Sequence, residues 1–90
     1  GMVRQWQELF YNRRYSGSEL GPSNPDFGKI AEGFGALGIR VDERDEVVPA
    51  IKKALEHDGP VVVHCVVAPE DNVYPMVPAG HALDQVMDMA

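Results

Sequence analysis

The segment Val61-Val62-Val63-His64-Cys65-Val66-Val67 constrains the fold more than any other stretch of the chain. It is apolar almost throughout and does not alternate, the pattern of a parallel strand buried on both faces. Upstream, Ile39-Arg40-Val41 is a shorter strand candidate. Between the two, Val47, Val48, Ile51, Ala54 and Leu55 recur at helical spacing and give a helix one apolar face. Asp42, with Asp45 three residues on, makes a box-like helix start. Pro49 removes one helix hydrogen bond and predicts a kink or a late start, and His57-Asp58-Gly59-Pro60 ends the helix. Residues 39–67 therefore read as a βαβ unit with a right-handed crossover. Two strands do not complete a doubly wound sheet, so the pattern predicts an incomplete piece of a larger α/β sheet.

The flanks carry three more helix patterns. Met2, Val3, Trp6, Leu9 and Phe10 form one apolar stripe, with Arg4, Gln5, Gln7 and Glu8 on the other side, and the helix ends within 11–15. Residues 16–24 are rich in Gly, Ser and Pro and read as a loop. Asn24 is placed to cap a second helix with Pro25 at its first position and Asp26 favouring its positive end. Phe27, Ile30, Ala31 and Phe34 are its stripe; Gly35 and Gly38 weaken and end it, with Gly38 its left-handed stop. Residues 68–80 form a loop with three prolines, and 82–89 a final short helix.

Ninety residues allow at most one small domain, with a marginal core. Fourteen acidic against eight basic residues give a net charge of −6, which disfavours nonspecific binding to nucleic acid or anionic membranes. One cysteine, Cys65, forms no internal disulfide and fits a reducing compartment. No apolar run approaches the roughly 18–20 residues of a membrane span, and no signal-peptide pattern opens the chain. A cytoplasmic protein is expected.

Several motifs read as structural. Gly33-Phe34-Gly35-Ala36-Leu37-Gly38 matches G-x-G-x-x-G, but it follows a helix and precedes a strand, the reverse of the dinucleotide-binding order. His64 and Cys65 are adjacent in a strand and point to opposite faces, and His57 and His81 have no partner at zinc-ligand spacing, so no metal site is expected. Ser16 and Ser18 lack a nucleophile-elbow context. Glu70-Asp71 reads as a solvated loop pair.

Two segments taken together are more specific. Gly1-Met2-Val3-Arg4-Gln5-Trp6-Gln7-Glu8-Leu9-Phe10-Tyr11 and Glu70-Asp71-Asn72-Val73-Tyr74-Pro75-Met76-Val77-Pro78-Ala79-Gly80 resemble two signatures of the acetolactate (acetohydroxyacid) synthase catalytic subunits. Asn24-Pro25-Asp26-Phe27 and Gly38-Ile39-Arg40-Val41 fit between them in the right order. The resemblance covers essentially the whole chain. It implies that residues 1–90 are the incomplete C-terminal portion of a thiamine-diphosphate-binding domain, part of a three-layer α/β/α fold. It further implies a parent enzyme that condenses two pyruvates, or pyruvate and 2-ketobutyrate, with decarboxylation in branched-chain amino-acid biosynthesis. That parent would use thiamine diphosphate, Mg²⁺ and FAD, assemble as a homodimer or tetramer, and take a regulatory subunit.

Carried over by position, Met2, Val3 and Trp6 line the channel above the thiazolium ring, and Ala79 matches a position in the inhibitor-binding channel. Trp6 is the residue expected to select the second keto acid. The Gly-Asp-Gly and Asn segment that holds Mg²⁺ and diphosphate in the family is absent from these ninety residues, as is the activating glutamate. The chain alone is therefore expected to be inactive, to contain no catalytic residue and to bind no cofactor. The alternative is a non-enzymatic self-association or subunit-binding module derived from such an enzyme, using its unpaired strand edges and apolar helix face as contacts.

Overall fold

A computed structural model describes residues 1–88. The chain divides into two compact units: one joins residues 1–19 to the segment from Pro69 onward, and the other is Leu20–Ala68.

The second unit carries the sheet. Strands β1 (Leu37–Val41) and β2 (Val61–Cys65) pair in parallel, from Leu37 opposite Val61 to Val41 opposite Cys65. The unit is thus α/β, as expected, although β1 begins two residues before Ile39 and β2 stops at Cys65 rather than Val67. Val66 N–H still donates to Val41 C=O at 2.9 Å, continuing the pairing one residue past the strand. Helix α2 (Phe27–Gly33) packs on both strands, as does the crossover helix α3 (Val47–Glu56).

Helix ends depart from the sequence reading by up to four residues, each for a local reason. Asp26, not Asn24, caps α2: its Oδ1 accepts from Lys29 N–H at 3.1 Å, and this holds its carboxyl below the usual carboxylate range. Pro25 therefore lies outside the helix. Gly35, not Gly38, takes the left-handed conformation after α2 (φ 82°). Gly38 lies within β1 and has another role. A Cβ built there would sit 2.2 Å from the carbonyl oxygen of Gly28, so helix and strand touch backbone to backbone. The capping box forms between Glu43 and Glu46 around a 3₁₀ turn (Arg44–Glu46), not between Asp42 and Asp45. Glu46 reaches back to the N–H groups of Asp42 (2.9 Å) and Glu43 (3.1 Å), and α3 starts only at Val47. That late start leaves Pro49 in the first turn, where no intrahelical N–H is required.

The buried apolar residues are small: Ala31, Val41 and Ala50. Large apolar side chains stay open to solvent, Phe34 at 89% and Leu55 at 82% exposure, and Val62 and Val66 are also exposed. Close approach through Ala and Gly forms this core, while the larger residues of the α2 and α3 stripes stay exposed to solvent.

In the first unit, α1 (Met2–Phe10) forms as expected. The final helix over 82–89 does not form among the described residues; Met89, its last position, lies outside them. Ala82 N–H donates instead to Gln85 Oε1 (3.0 Å) and Gln85 N–H to Ala82 C=O (2.9 Å), making a closed turn. Met87 then pairs with Met76 as an antiparallel bridge, exchanging two backbone hydrogen bonds of 2.9 and 2.7 Å. Residue 87 satisfies its backbone across the chain rather than along it.

Candidate functional site

The first unit brings α1 together with the return segment that follows Pro69. At about 100° per residue, Gln5 falls about 60° from Met2 and about 40° from Leu9, on the border of the apolar stripe rather than opposite it. It is the buried residue of α1, at 6% exposure, while Met2 is 78% exposed. This reverses the expected sidedness: the stripe of Met2, Val3 and Trp6 is open, and the polar border is covered.

The cover is the irregular stretch around Val73. Gln5 Oε1 accepts from Val73 N–H (2.8 Å), and Gln5 Nε2 donates to Val73 C=O (2.9 Å) and to Met76 Sδ (3.0 Å). One turn along, Asn72 Nδ2 donates to Glu8 Oε2 at 3.3 Å, and the same oxygen takes Arg4 Nη1 at 3.3 Å. Arg4 also stacks over the Tyr15 ring, 4.5 Å from its centroid. Gln7 secures the loop beyond the helix: it donates to Ser16 C=O (3.0 Å) and accepts from Ser18 Oγ. The serines of this loop therefore hold its shape.

Between α1 and the return lies an open concavity of about 380 Å³. Gly1, Met2, Gln5 and Trp6 wall one side, and Asp71, Val73, Pro75 and Met76 the other. Phe10 buttresses Trp6 with ring centroids 5.3 Å apart and planes tilted by 59°. Two of the four residues picked out in the sequence, Met2 and Trp6, meet here. Val3 is exposed and does not line the concavity, and Ala79 lies exposed in the turn closed by His81 N–H on Pro78 C=O. Gln5, Asp71, Val73, Pro75 and Met76 were not picked out individually, although all lie within the two segments that carry the resemblance.

The walls are apolar, with one carboxylate and no lysine, arginine or histidine. They suit an alkyl group or an uncharged ring face, and a diphosphate would meet Asp71 with no side-chain cation to offset it. No group of three His, Cys, Asp or Glu is placed to hold a metal ion among the described residues.

In the other unit, the glycine-rich match runs from the end of α2 into β1, helix before strand. His64 lies edge-on to Phe27 (5.1 Å, 80°), and its buried Nδ1 has no hydrogen-bond partner among the described residues. Cys65 is free and exposed. No helix of the described residues is long and apolar enough to cross a membrane.

The family model described as "Thiamine pyrophosphate enzyme, C-terminal TPP binding domain" matches residues 1–65. The chain belongs to this family. Among curated relatives of this thiamine pyrophosphate enzyme segment, the acetolactate synthase large subunit of Corynebacterium glutamicum is 51% identical over 84 residues, covering 89% of this chain and 13% of its own length. The acetolactate synthase large subunit of Pyropia yezoensis is 41% identical over 90 residues, covering all of this chain and 15% of its own. The mitochondrial acetolactate synthase of Schizosaccharomyces pombe is 44% identical over 85 residues, covering 94% and 12%. The chain thus spans less than one sixth of the length of each of these relatives.

Proposed function

We propose that this chain is the channel-covering, C-terminal portion of an acetolactate synthase catalytic subunit. In that subunit two molecules of pyruvate, or pyruvate and 2-ketobutyrate, are joined with loss of carbon dioxide on the route to branched-chain amino acids. Thiamine diphosphate, when bound, supplies the electron sink for decarboxylation. Mg²⁺, FAD, an assembled dimer or tetramer and a regulatory subunit belong to the same reading. The single free thiol supports a reducing compartment, and we place the protein in the cytoplasm.

The observation that carries this reading is the apolar concavity walled by Met2 and Trp6 and by the Val73–Met76 return. What these residues do is bind, orient and exclude water. Trp6, stacked against Phe10, presents a rigid indole wall to the alkyl end of the second keto acid. One methylene in a fitted pocket is worth about 1–3 kcal/mol, enough to favour the ethyl group of 2-ketobutyrate over the methyl of pyruvate. Met2 borders the same space, and the return covers it as a lid covers a reacting centre. Val3 and Ala79 are assigned to the channel by resemblance, in the complete subunit rather than in the concavity formed here.

The test is a transplant. Residues 1–90 replace the matching segment of the Corynebacterium glutamicum large subunit, and the chimera is assayed with pyruvate alone and with added 2-ketobutyrate. Condensation in both assays is expected, and none by the ninety-residue chain alone. A chimera that folds and takes up thiamine diphosphate but condenses neither pair refutes the reading.

A further inference from the structure

Val73 lies in neither helix nor strand, so no ladder supplies partners for its N–H and C=O. Gln5 supplies both. A primary amide has the same donor and acceptor atoms as a peptide group, and here it takes the place of a neighbouring strand: Val73 N–H to Oε1 at 2.8 Å, Nε2 to Val73 C=O at 2.9 Å. Its second amide hydrogen goes to Met76 Sδ at 3.0 Å, so both donors of Nε2 are used. One side chain therefore holds residues 73 and 76 from a single point on α1. That point is next to Trp6 in sequence, and Gln5, Trp6, Val73 and Met76 all line the concavity.

We propose that Gln5 is a positioning residue that sets the width of this concavity and, through it, the selectivity exerted by Trp6. The inference rests on the function proposed above only for its selectivity clause; the tether itself is a property of the chain. Without the amide, Val73 N–H and C=O lose their protein partner, and the segment between its remaining anchors, Asn72 on Glu8 and Met76 on Met87, can swing outward so that water pairs with them. The wall facing Trp6 then recedes. A pocket that has lost one wall no longer distinguishes an ethyl from a methyl group, although Trp6 is untouched. Glu at position 5 keeps the acceptor for Val73 N–H and removes both Nε2 donors, so it retains only part of the tether.

Trp6 is the single tryptophan of the chain, which makes the test direct. On the ninety-residue chain, the Val73 amide is followed by hydrogen exchange and Trp6 by acrylamide quenching, for Gln5→Leu, Gln5→Glu and Gln7→Leu. Circular dichroism confirms that α1 persists in each. Gln5→Leu is expected to speed exchange at Val73 on the order of tenfold, the loss of one net hydrogen bond, and to increase Trp6 quenching. Gln5→Glu is expected to fall between Leu and the parent, and Gln7→Leu, which releases only the 16–18 loop, to change neither reading. In the transplant chimera, Gln5→Leu is expected to lower the ratio of 2-ketobutyrate to pyruvate incorporation several-fold with a smaller change in kcat, partly restored by Glu. Unchanged Val73 exchange and Trp6 quenching in Gln5→Leu overturn the tether whether or not the chimera is active. A lost tether with an unchanged incorporation ratio overturns the selectivity role. A parent chimera that folds but does not condense refutes the function proposed above and the selectivity clause with it, and leaves the tether to be decided by exchange and quenching.

Discussion

Gly38 and Trp6 show how differently single residues act in this chain, one through the space it leaves and the other through the space it fills. A methyl group at Gly38 would lie 2.2 Å from Gly28 O and 2.7 Å from Gly28 C, and both obstacles are backbone. No rotamer relieves that, so α2 must move off β1. Gly38→Ala is expected to destabilise the chain by about 2–3 kcal/mol, the upper part of the range for overpacking, read as a lower urea midpoint. Gly33, at the end of the same helix, has nothing within 4 Å of a built Cβ, and Gly33→Ala is expected to be neutral or to stabilise by up to about 1 kcal/mol. The pair separates close approach from helix propensity. For Trp6, the expected outcome lies in selectivity. Trp6→Leu in the transplant chimera should cut the preference for 2-ketobutyrate about tenfold, because one fitted methylene contact is lost. Equal preference in Trp6→Leu and parent would show that another wall does the selecting. Gln5 was within reach of sequence reasoning, since its angle on the helix places it beside the apolar stripe. What that angle does not tell is its partner, because Val73 lies 68 residues away and belongs to no repeating pattern.

At the scale of elements, periodicity identified α1, α2 and α3, short apolar runs identified β1 and β2, and caps set the helix starts. The differences at the starts of α2 and α3 come from competition between neighbouring polar side chains. Asp26 outcompetes Asn24 because its carboxylate meets Lys29 N–H, and Glu43 and Glu46 form the box that Asp42 and Asp45 were expected to form. Asp42 is occupied elsewhere, receiving Arg40 Nε and Nη2 at 2.8–3.0 Å. The expected helix over 82–89 failed for a non-local reason, the backbone pairing of Met87 with Met76, which helical spacing does not register. The two capping and pairing aspartates give a pH dependence of definite sign. Both carboxyls are held below their ordinary value of 3.8, Asp26 chiefly by the Lys29 N–H and Asp42 chiefly by the Arg40 guanidinium. A lowered folded-state pKa stabilises the fold above the unfolded value, and the stabilisation is lost as pH falls through the folded value. The unfolding midpoint is therefore expected to drop as pH goes below about 4 through these two groups, with no contribution from them between pH 5 and 8. In Asp26→Asn/Asp42→Asn that acid-limb slope should be reduced; an unchanged slope would assign acid sensitivity to other carboxylates.

For the whole molecule, the decisive fact is a mismatch between pattern and burial. Val61 to Cys65 has the composition of a strand covered on both faces, yet among the described residues it pairs only with β1, and Val62 is exposed. Phe34 and Leu55 extend the same exposed apolar character onto α2 and α3. This much was legible in the sequence, because an unbroken apolar strand with one partner has no other reading than an unfinished sheet. The chain spans 12–15% of the length of its relatives, and the proposed function gives the reason for the exposed faces: the layers that would cover them lie in the rest of the proposed subunit. Two outcomes can then be set against each other in solution. Size-exclusion chromatography with light scattering, run across a concentration series with and without thiamine diphosphate and Mg²⁺, is expected to show association that grows with concentration and ignores the cofactors. The first part follows from the exposed apolar faces. The second follows from a concavity without a lysine, arginine or histidine to meet a diphosphate. A discrete dimer, stable on dilution, would instead favour a self-association module that uses these faces as its interface. A change of mass on adding the cofactors would place diphosphate or metal ligands within these ninety residues and overturn the proposed reading, in which the cofactor ligands lie outside them.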